Sequence, residues 1–68
     1  MKIRGRLAWR DLGAGFWVVE TPAGEVVVLG AVDGKLAGRE VVVEGEADEG
    51  FGVHMRGEAV RVRAVRSA

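Results

Sequence analysis

The chain has few side chains that could act as nucleophiles or as general acids and bases. Its 68 residues include one histidine (His54), one serine (Ser67) and one threonine (Thr21), with no tyrosine and no cysteine. Nucleophilic catalysis needs a hydroxyl or thiol held beside a base, and neither hydroxyl lies in such a pattern. Only carboxylates remain for acid–base chemistry. We therefore expect a protein that is not an enzyme and that has no catalytic residue.

An acidic stretch is the next candidate for chemistry. Glu44, Glu46, Asp48 and Glu49 carry the carboxylate oxygens that hard cations prefer. The stretch lacks the spaced oxygen ligands of a dedicated cation-binding loop, and His54 has no cysteine nearby to share a transition metal. The sequence therefore predicts a solvated acidic turn, with no metal site and no cofactor.

Basic and aromatic residues near both ends of the chain suggest a nucleic-acid surface. Basic grooves with aromatic rings for stacking are what bind single strands. The candidate residues for such a surface are Arg6, Trp9, Arg10, Phe51, Arg56 and Arg66. However, the net charge is zero, and a predicted strand with outward Glu40, Glu44 and Glu46 falls between two basic strands. Cross-strand ion pairs would then neutralise the field that phosphates require, so single-stranded nucleic-acid binding is the alternative function.

Valine and glycine dominate the sequence and predict short strands joined by tight turns. Polar and apolar residues alternate over 2–9, 39–47 and 58–66, whereas no segment has the apolar spacing of an amphipathic helix. The predicted inward positions are Ile3, Gly5, Leu7 and Trp9 in the first strand, Val41, Val43 and Ala47 in the fourth, and Val60, Val62 and Ala64 in the fifth. At Gly5 the missing side chain would permit the sharp coiling of a small barrel.

The second and third predicted strands form a hairpin. Thr21–Gly24 has the proline and glycine of a type I turn followed by a glycine bulge. Pairing outward from this turn places Glu20 opposite Val26 and Trp17 opposite Leu29. The core face would then consist of Trp17, Val19, Val27 and Leu29.

The outer face of this hairpin is the predicted binding surface. It would consist of Phe16, Val18, Val26 and Val28, an apolar patch large enough on so small a protein to suggest burial by a partner. The patch has no arginine or lysine, so it suits a protein better than a phosphate backbone. We expect self-association into a homo-oligomer or binding of a protein partner, and no membrane contact. A hairpin with its two faces reversed, which would place these residues in the core, is the alternative.

Five strands and a non-helical connection over 31–38 predict a single all-β domain over residues 1–68. The predicted architecture is a Greek-key OB-like barrel of five strands, or of six if 51–56 forms a short ribbon. In this topology the acidic fourth strand pairs with the first and the fifth. An SH3-like barrel is the alternative.

Three runs of the sequence resemble a known group of proteins. GFWVVETPAGEVVVLG, LAGREVVVEGEA and GEAVRVRAV are similar to compact bacterial OB-fold proteins, most of which lack an assigned function. TPAGEVVVLG also resembles the OB domain of NfeD-type membrane-associated proteins. Because these motifs consist of structural glycines and valines, the resemblance implies a fold and carries over no functional residue.

Two further features bear on location and habitat. The longest uncharged apolar stretch, Val26–Val32, is far shorter than the roughly 20 residues that cross a bilayer, and no secretory signal pattern is visible. We expect a cytoplasmic protein. Asparagine and glutamine are absent and arginine outnumbers lysine eight to two, a bias that suits a thermophile and that a GC-rich genome would also produce.

Overall fold

A computed structural model of the chain describes residues 1–48 and 58–68. The strands of this part are β1 (Lys2–Arg10), β2 (Phe16–Thr21), β3 (Gly24–Leu29), β4 (Glu40–Ala47) and β5 (Glu58–Ser67). A single turn of 3₁₀-helix, Gly34–Leu36, connects β3 to β4. The possible sixth strand at 51–56 lies outside the described residues.

The strands close into a barrel in the order β1-β2-β3-β5-β4, with β4 returning to β1. All neighbours are antiparallel except β3 and β5, which are parallel. The predicted fold class, an all-β five-stranded OB-like barrel, is confirmed. As expected, the acidic β4 lies between β1 and β5.

β1 pairs with both β4 and β2, and Gly5 lies close to the point where pairing with β4 ends and pairing with β2 begins. Residues up to Arg6 pair with β4, and residues from Arg6 onward pair with β2. A Cβ atom at Gly5 would overlap the carbonyl oxygen of Glu20 and lie 2.7 Å from Cγ1 of Val19. The close approach of β2 therefore requires glycine at this position, in agreement with the sequence prediction.

The barrel interior is filled almost entirely by valine. The buried core consists of Leu7, Val19, Val26, Val28, Val41, Val43 and Val60. Ile3, Trp17 and Leu36 are partly buried and pack against it. The inward faces predicted for β1 and β2 are confirmed, as are inward Val41 and Val43 in β4, whereas Ala47, also predicted inward, is exposed at the end of that strand.

The predicted orientation of β3 is wrong by one residue. Val19 lies opposite Val26 and Trp17 lies opposite Val28. Val26 and Val28 therefore point into the core, whereas Val27 packs in the outer cluster described below. Because strand side chains alternate, a shift of one residue moves every side chain of β3 to the other face.

The β2–β3 turn explains this shift. Thr21 lies opposite Gly24, so the loop consists of Pro22 and Ala23 without the predicted bulge. The Thr21 hydroxyl accepts a hydrogen bond from the Ala23 N–H and donates one to the Gly24 carbonyl. These side-chain bonds close the loop at two residues, and Gly24 adopts the positive φ that the tight turn needs.

The predicted inward alternation of β5 is wrong beyond Val62. The β4–β5 register shifts at Gly45, which is opposite Val62, while Glu44 is opposite Ala64. An extra residue on one strand reverses the side-chain faces beyond it. Val65 therefore packs against the core, and Ala64 is exposed.

Candidate interaction surface

The predicted interface on the outer face of β2 and β3 is not an exposed patch. Of its four residues, Val26 and Val28 belong to the core, and Phe16 is half-buried. Val18 does point outward, but its exposed fraction is 0 %. It belongs to a second apolar cluster, here called the outer cluster, which consists of Val18, Val27 and Ala59 with Ala8, Phe16 and Leu29 packed against them.

An ionic bridge crosses this outer face. Arg10 Nη2 donates a hydrogen bond to Glu20 Oε2 at 2.7 Å and another to Glu25 Oε2. In the β1–β2 register Arg10 is opposite Phe16, and Val18 lies between Phe16 and Glu20 on the same face. The Arg10 side chain must therefore pass Val18 to reach the carboxylates, which places its stem over the outer cluster.

The bridge determines the chemistry of Arg10. Hydrogen bonds first to Glu25 and then to Glu20 raise the pKa of the Arg10 guanidinium above its ordinary value. The group is a permanent cation whose charge two carboxylates already balance. Arg10 is therefore a poor ligand for a phosphate.

The predicted pairing of the β4 glutamates holds in part: Glu44 is paired with both neighbouring strands and Glu40 with β1, whereas Glu46 has no ion pair within the described residues. Glu44 Oε1 accepts a hydrogen bond from Arg66 at 3.1 Å and lies 3.5 Å from Nζ of Lys2. Glu40 forms an ion pair with Arg4 at 3.8 Å. The hydrogen bond from Arg66 is the main reason that the pKa of Glu44 is lowered.

The four candidate nucleic-acid residues that the structure describes do not form an open basic surface. Arg10 and Arg66 are paired with glutamates. Arg6 is exposed and forms no ion pair with the residues that the structure describes. Phe51 and Arg56 lie outside those residues. Of the described basic candidates, Arg10 and Arg66 are thus neutralised by glutamates, and Arg6 is the one without an ion pair.

Trp9 is the one exposed aromatic residue among the candidate site residues that the structure describes. It is the last inward position of β1, at the barrel end, and 47 % of the residue is exposed. Its ring meets Trp17 edge to face, with centroids 5.1 Å apart. On another side it lies against Gly15, where a Cβ atom would overlap the indole. The indole is therefore held in place while much of it faces solvent.

Leu12, in the β1–β2 loop, is a second exposed large apolar residue near this end of β1. It is 67 % exposed, and its carbonyl accepts a hydrogen bond from Gly15 N–H at 2.9 Å. This bond folds the β1–β2 loop so that its last residue touches Trp9. We call the two exposed side chains, Trp9 and Leu12, the Trp9 patch. The sequence analysis named Trp9 but missed Leu12, whose signal is a large apolar residue in a polar, glycine-rich loop.

The two hydroxyl residues considered for catalysis lie on different strands. The Thr21 hydroxyl is used in the β2–β3 turn, and Ser67 is exposed at the end of β5. His54 and Glu49 lie outside the described residues. Within residues 1–48 and 58–68, no three acidic or histidine side chains come together as a metal site.

No protein-family model, curated protein or solved structure matches the chain. In the described part of the chain, no helix has the length and apolar character needed to span a membrane.

Proposed function

We propose that this protein is a non-catalytic interaction module that binds another protein chain, a second copy or a different partner, through the Trp9 patch. One observation carries the proposal: a tryptophan that is 47 % exposed although Trp17 and Gly15 hold its ring. Tryptophan is enriched among the residues that dominate binding energy in protein interfaces. Because this indole is already fixed, binding would cost little additional side-chain entropy.

Charge supports a protein partner for this patch. The chain has no net charge, and the arginine beside Trp9 in sequence, Arg10, is bonded to two glutamates. Two side chains cover much less than the about 800 Å² that each partner buries in a typical stable interface. The Trp9 patch would therefore form the centre of a larger, more polar contact.

Sedimentation velocity over a concentration series tests self-association. If the partner is a second copy, the mass rises with concentration, and Leu12→Glu returns it to the monomer because a charge cannot be buried unpaired. Ala14→Glu is the matched control, since Ala14 is exposed in the same loop. Equal effects of the two substitutions would argue against a contact at Leu12.

In-cell cross-linking tests binding of a different protein. A photoreactive residue at position 12 should give one discrete adduct in the source cell, and Trp9→Ala should abolish it. A strictly monomeric protein that forms no adduct would contradict the proposal. The expected location is the cytoplasm, which cell fractionation tests.

The alternative function is binding of single-stranded nucleic acid. The half-exposed Trp9 favours it, because an indole on such a barrel can stack on a base, and Arg6 would be the nearest unpaired cation on β1. Fluorescence anisotropy with labelled oligonucleotides at low and high salt separates the alternatives. Salt-sensitive, saturable binding that Trp9→Ala removes would support this function, and no binding at low salt would rule it out.

A further inference from the structure

The two edges of β1 are paired over different lengths. Along β4, pairing begins at Lys2, but along β2 it begins only at Arg6, opposite Glu20, because β2 ends at Thr21. Within the described part of the chain, the start of β1 therefore has no strand beside it on the β2 side.

The backbone groups exposed at this edge can be identified. The ammonium of Met1 donates a hydrogen bond to the Gly45 carbonyl at 2.8 Å, and the Met1 carbonyl accepts one from the Gly45 N–H at 3.1 Å. The Leu7 N–H donates to the Arg39 carbonyl at 3.0 Å, and the Leu7 carbonyl accepts from the Gly38 N–H at 2.8 Å, just before β4. Backbone groups of successive strand residues point to alternating edges. The N–H and C=O groups of Lys2 and Arg4 therefore point away from β4, towards the free edge.

A groove of about 570 Å³ runs along this edge. Its walls are residues 1–4 of the chain and the stretch 21–26 around the β2–β3 turn. Ile3 and Val26 belong to the inward rows of their strands and pack in the core, so they form an apolar floor. The groove thus has the size and lining that a short extended chain requires.

The outward side chains that β1 contributes to the groove are positive, and the one carboxylate among the described lining residues, Glu25, is bonded to Arg10. Lys2 and Arg4 are both mostly exposed, and their ion pairs with Glu44 and Glu40 are at 3.5 and 3.8 Å. These glutamates belong to β4, on the side of β1 away from the groove. Each cation therefore has room for a second carboxylate on the groove side.

We propose that this groove binds an extended segment of a partner protein, which adds as a strand to the free edge of β1. Its inward side chains would be apolar and lie over Ile3, and its outward side chains would be acidic and lie beside Lys2 and Arg4. In strand addition, main-chain bonds provide affinity and alternating side chains provide specificity. A polynucleotide backbone fits less well, because it offers no donors for the carbonyls of Lys2 and Arg4.

This site does not depend on the function proposed for the Trp9 patch, because the two surfaces lie at opposite ends of β1. Trp9→Ala should leave peptide binding in the groove unchanged. Failure of one proposal can therefore be distinguished from failure of the other.

NMR titration of the ¹⁵N-labelled full chain tests the site. The probe is a blocked heptapeptide of alternating glutamate and valine, which should shift the amide signals of residues 2–4, 21 and 23–26. A lysine–valine heptapeptide should bind at least about tenfold more weakly, and the glutamate–valine peptide N-methylated at every amide should not bind. Equal binding of the N-methylated peptide, or shifts confined to other residues, would overturn the proposal.

A matched pair of variants tests the edge itself. Arg4→Pro removes the N–H that faces the groove and leaves the bonds to β4, whereas Arg4→Ala removes only the charge. We expect Arg4→Pro to bind the probe about tenfold more weakly than Arg4→Ala, because one main-chain hydrogen bond is lost. Equal affinity of two folded variants would contradict strand addition. If Arg4→Pro does not fold, the N-methylated peptide on the unaltered protein decides.

Discussion

Glu20 on β2 lies directly opposite Glu25 on β3, and Arg10 donates a hydrogen bond to each. Two like charges at facing positions of an antiparallel pair destabilise the sheet. The cation from a third strand turns this repulsion into an attraction that links β1, β2 and β3. It also removes Arg10 from any phosphate-binding role and places its stem across the outer cluster.

The Arg10 bridge should contribute to stability through coupling with both glutamates. Arg10→Ala should lower the Tm, because it leaves Glu20 facing Glu25 without a counter-charge. Adding Glu20→Gln to that variant should recover part of the loss. Thermal unfolding of the four proteins in a double-mutant cycle measures the coupling. Arg63→Ala, at an exposed arginine, is the control, and purely additive effects would contradict the bridge.

The inward orientation of β3 can be tested by truncating one valine. Val28→Ala removes two methyl groups from the core, at about 0.8 kcal/mol per carbon before any cavity effect, so we expect the free energy of unfolding to fall by about 2 kcal/mol. Val42→Ala is the matched control on β4, because Val42 is only half-buried. Urea denaturation measures both. An equal or larger loss for Val42→Ala would contradict the β3 register.

Gly5 should tolerate no side chain. Gly5→Ala forces a Cβ atom into the Glu20 carbonyl and Val19, and such overpacking costs roughly 1–3 kcal/mol of unfolding free energy. Gly34→Ala is the control, since its Cβ atom would meet only Trp17 at 3.9 Å. Chemical denaturation should show a clear loss for the first variant and almost none for the second. A neutral Gly5→Ala would mean that β1 does not approach β2 this closely.

Glu44 should make stability depend on pH in the acid range. Its pKa is lowered in the folded protein from the ordinary 4.5, chiefly by the hydrogen bond from Arg66. A carboxyl group with a depressed pKa stabilises the fold above its unfolded pKa, and this contribution is lost as the pH falls through the folded pKa. Glu44→Gln should therefore reduce the loss of stability below about pH 4.5.

Urea denaturation of the Glu44 and Glu46 variants between pH 2.5 and 7 checks this prediction. Glu46→Gln is the control, because Glu46 is an outward glutamate on the same strand that has no ion pair within the described residues. The same pH dependence in both variants would mean that the pairing of Glu44 with Arg66 and Lys2 does not matter. Salt should reduce the effect, since these groups are at the surface.

The strand content and the barrel could be predicted because they depend on local alternation. In a strand, successive side chains point to opposite faces, so Leu7, Val19 and Val41 could be assigned to the core from neighbouring residues alone. The need for glycine at position 5 followed from the same pattern, whereas the placement of acidic β4 between basic strands followed from the predicted OB topology.

The tertiary structure alone determined the register of β3, the bulge in β5 and the candidate site. The register depends on how many residues the turn contains, and the Thr21 hydroxyl closes that turn in a way the type I pattern does not include. The burial of Val18, the exposure of Trp9 and the free edge beside Arg4 follow from which strands become neighbours and where each ends. Alternation along a single strand carries no information about which strands become neighbours or where their pairing ends, because both are determined only when the barrel closes.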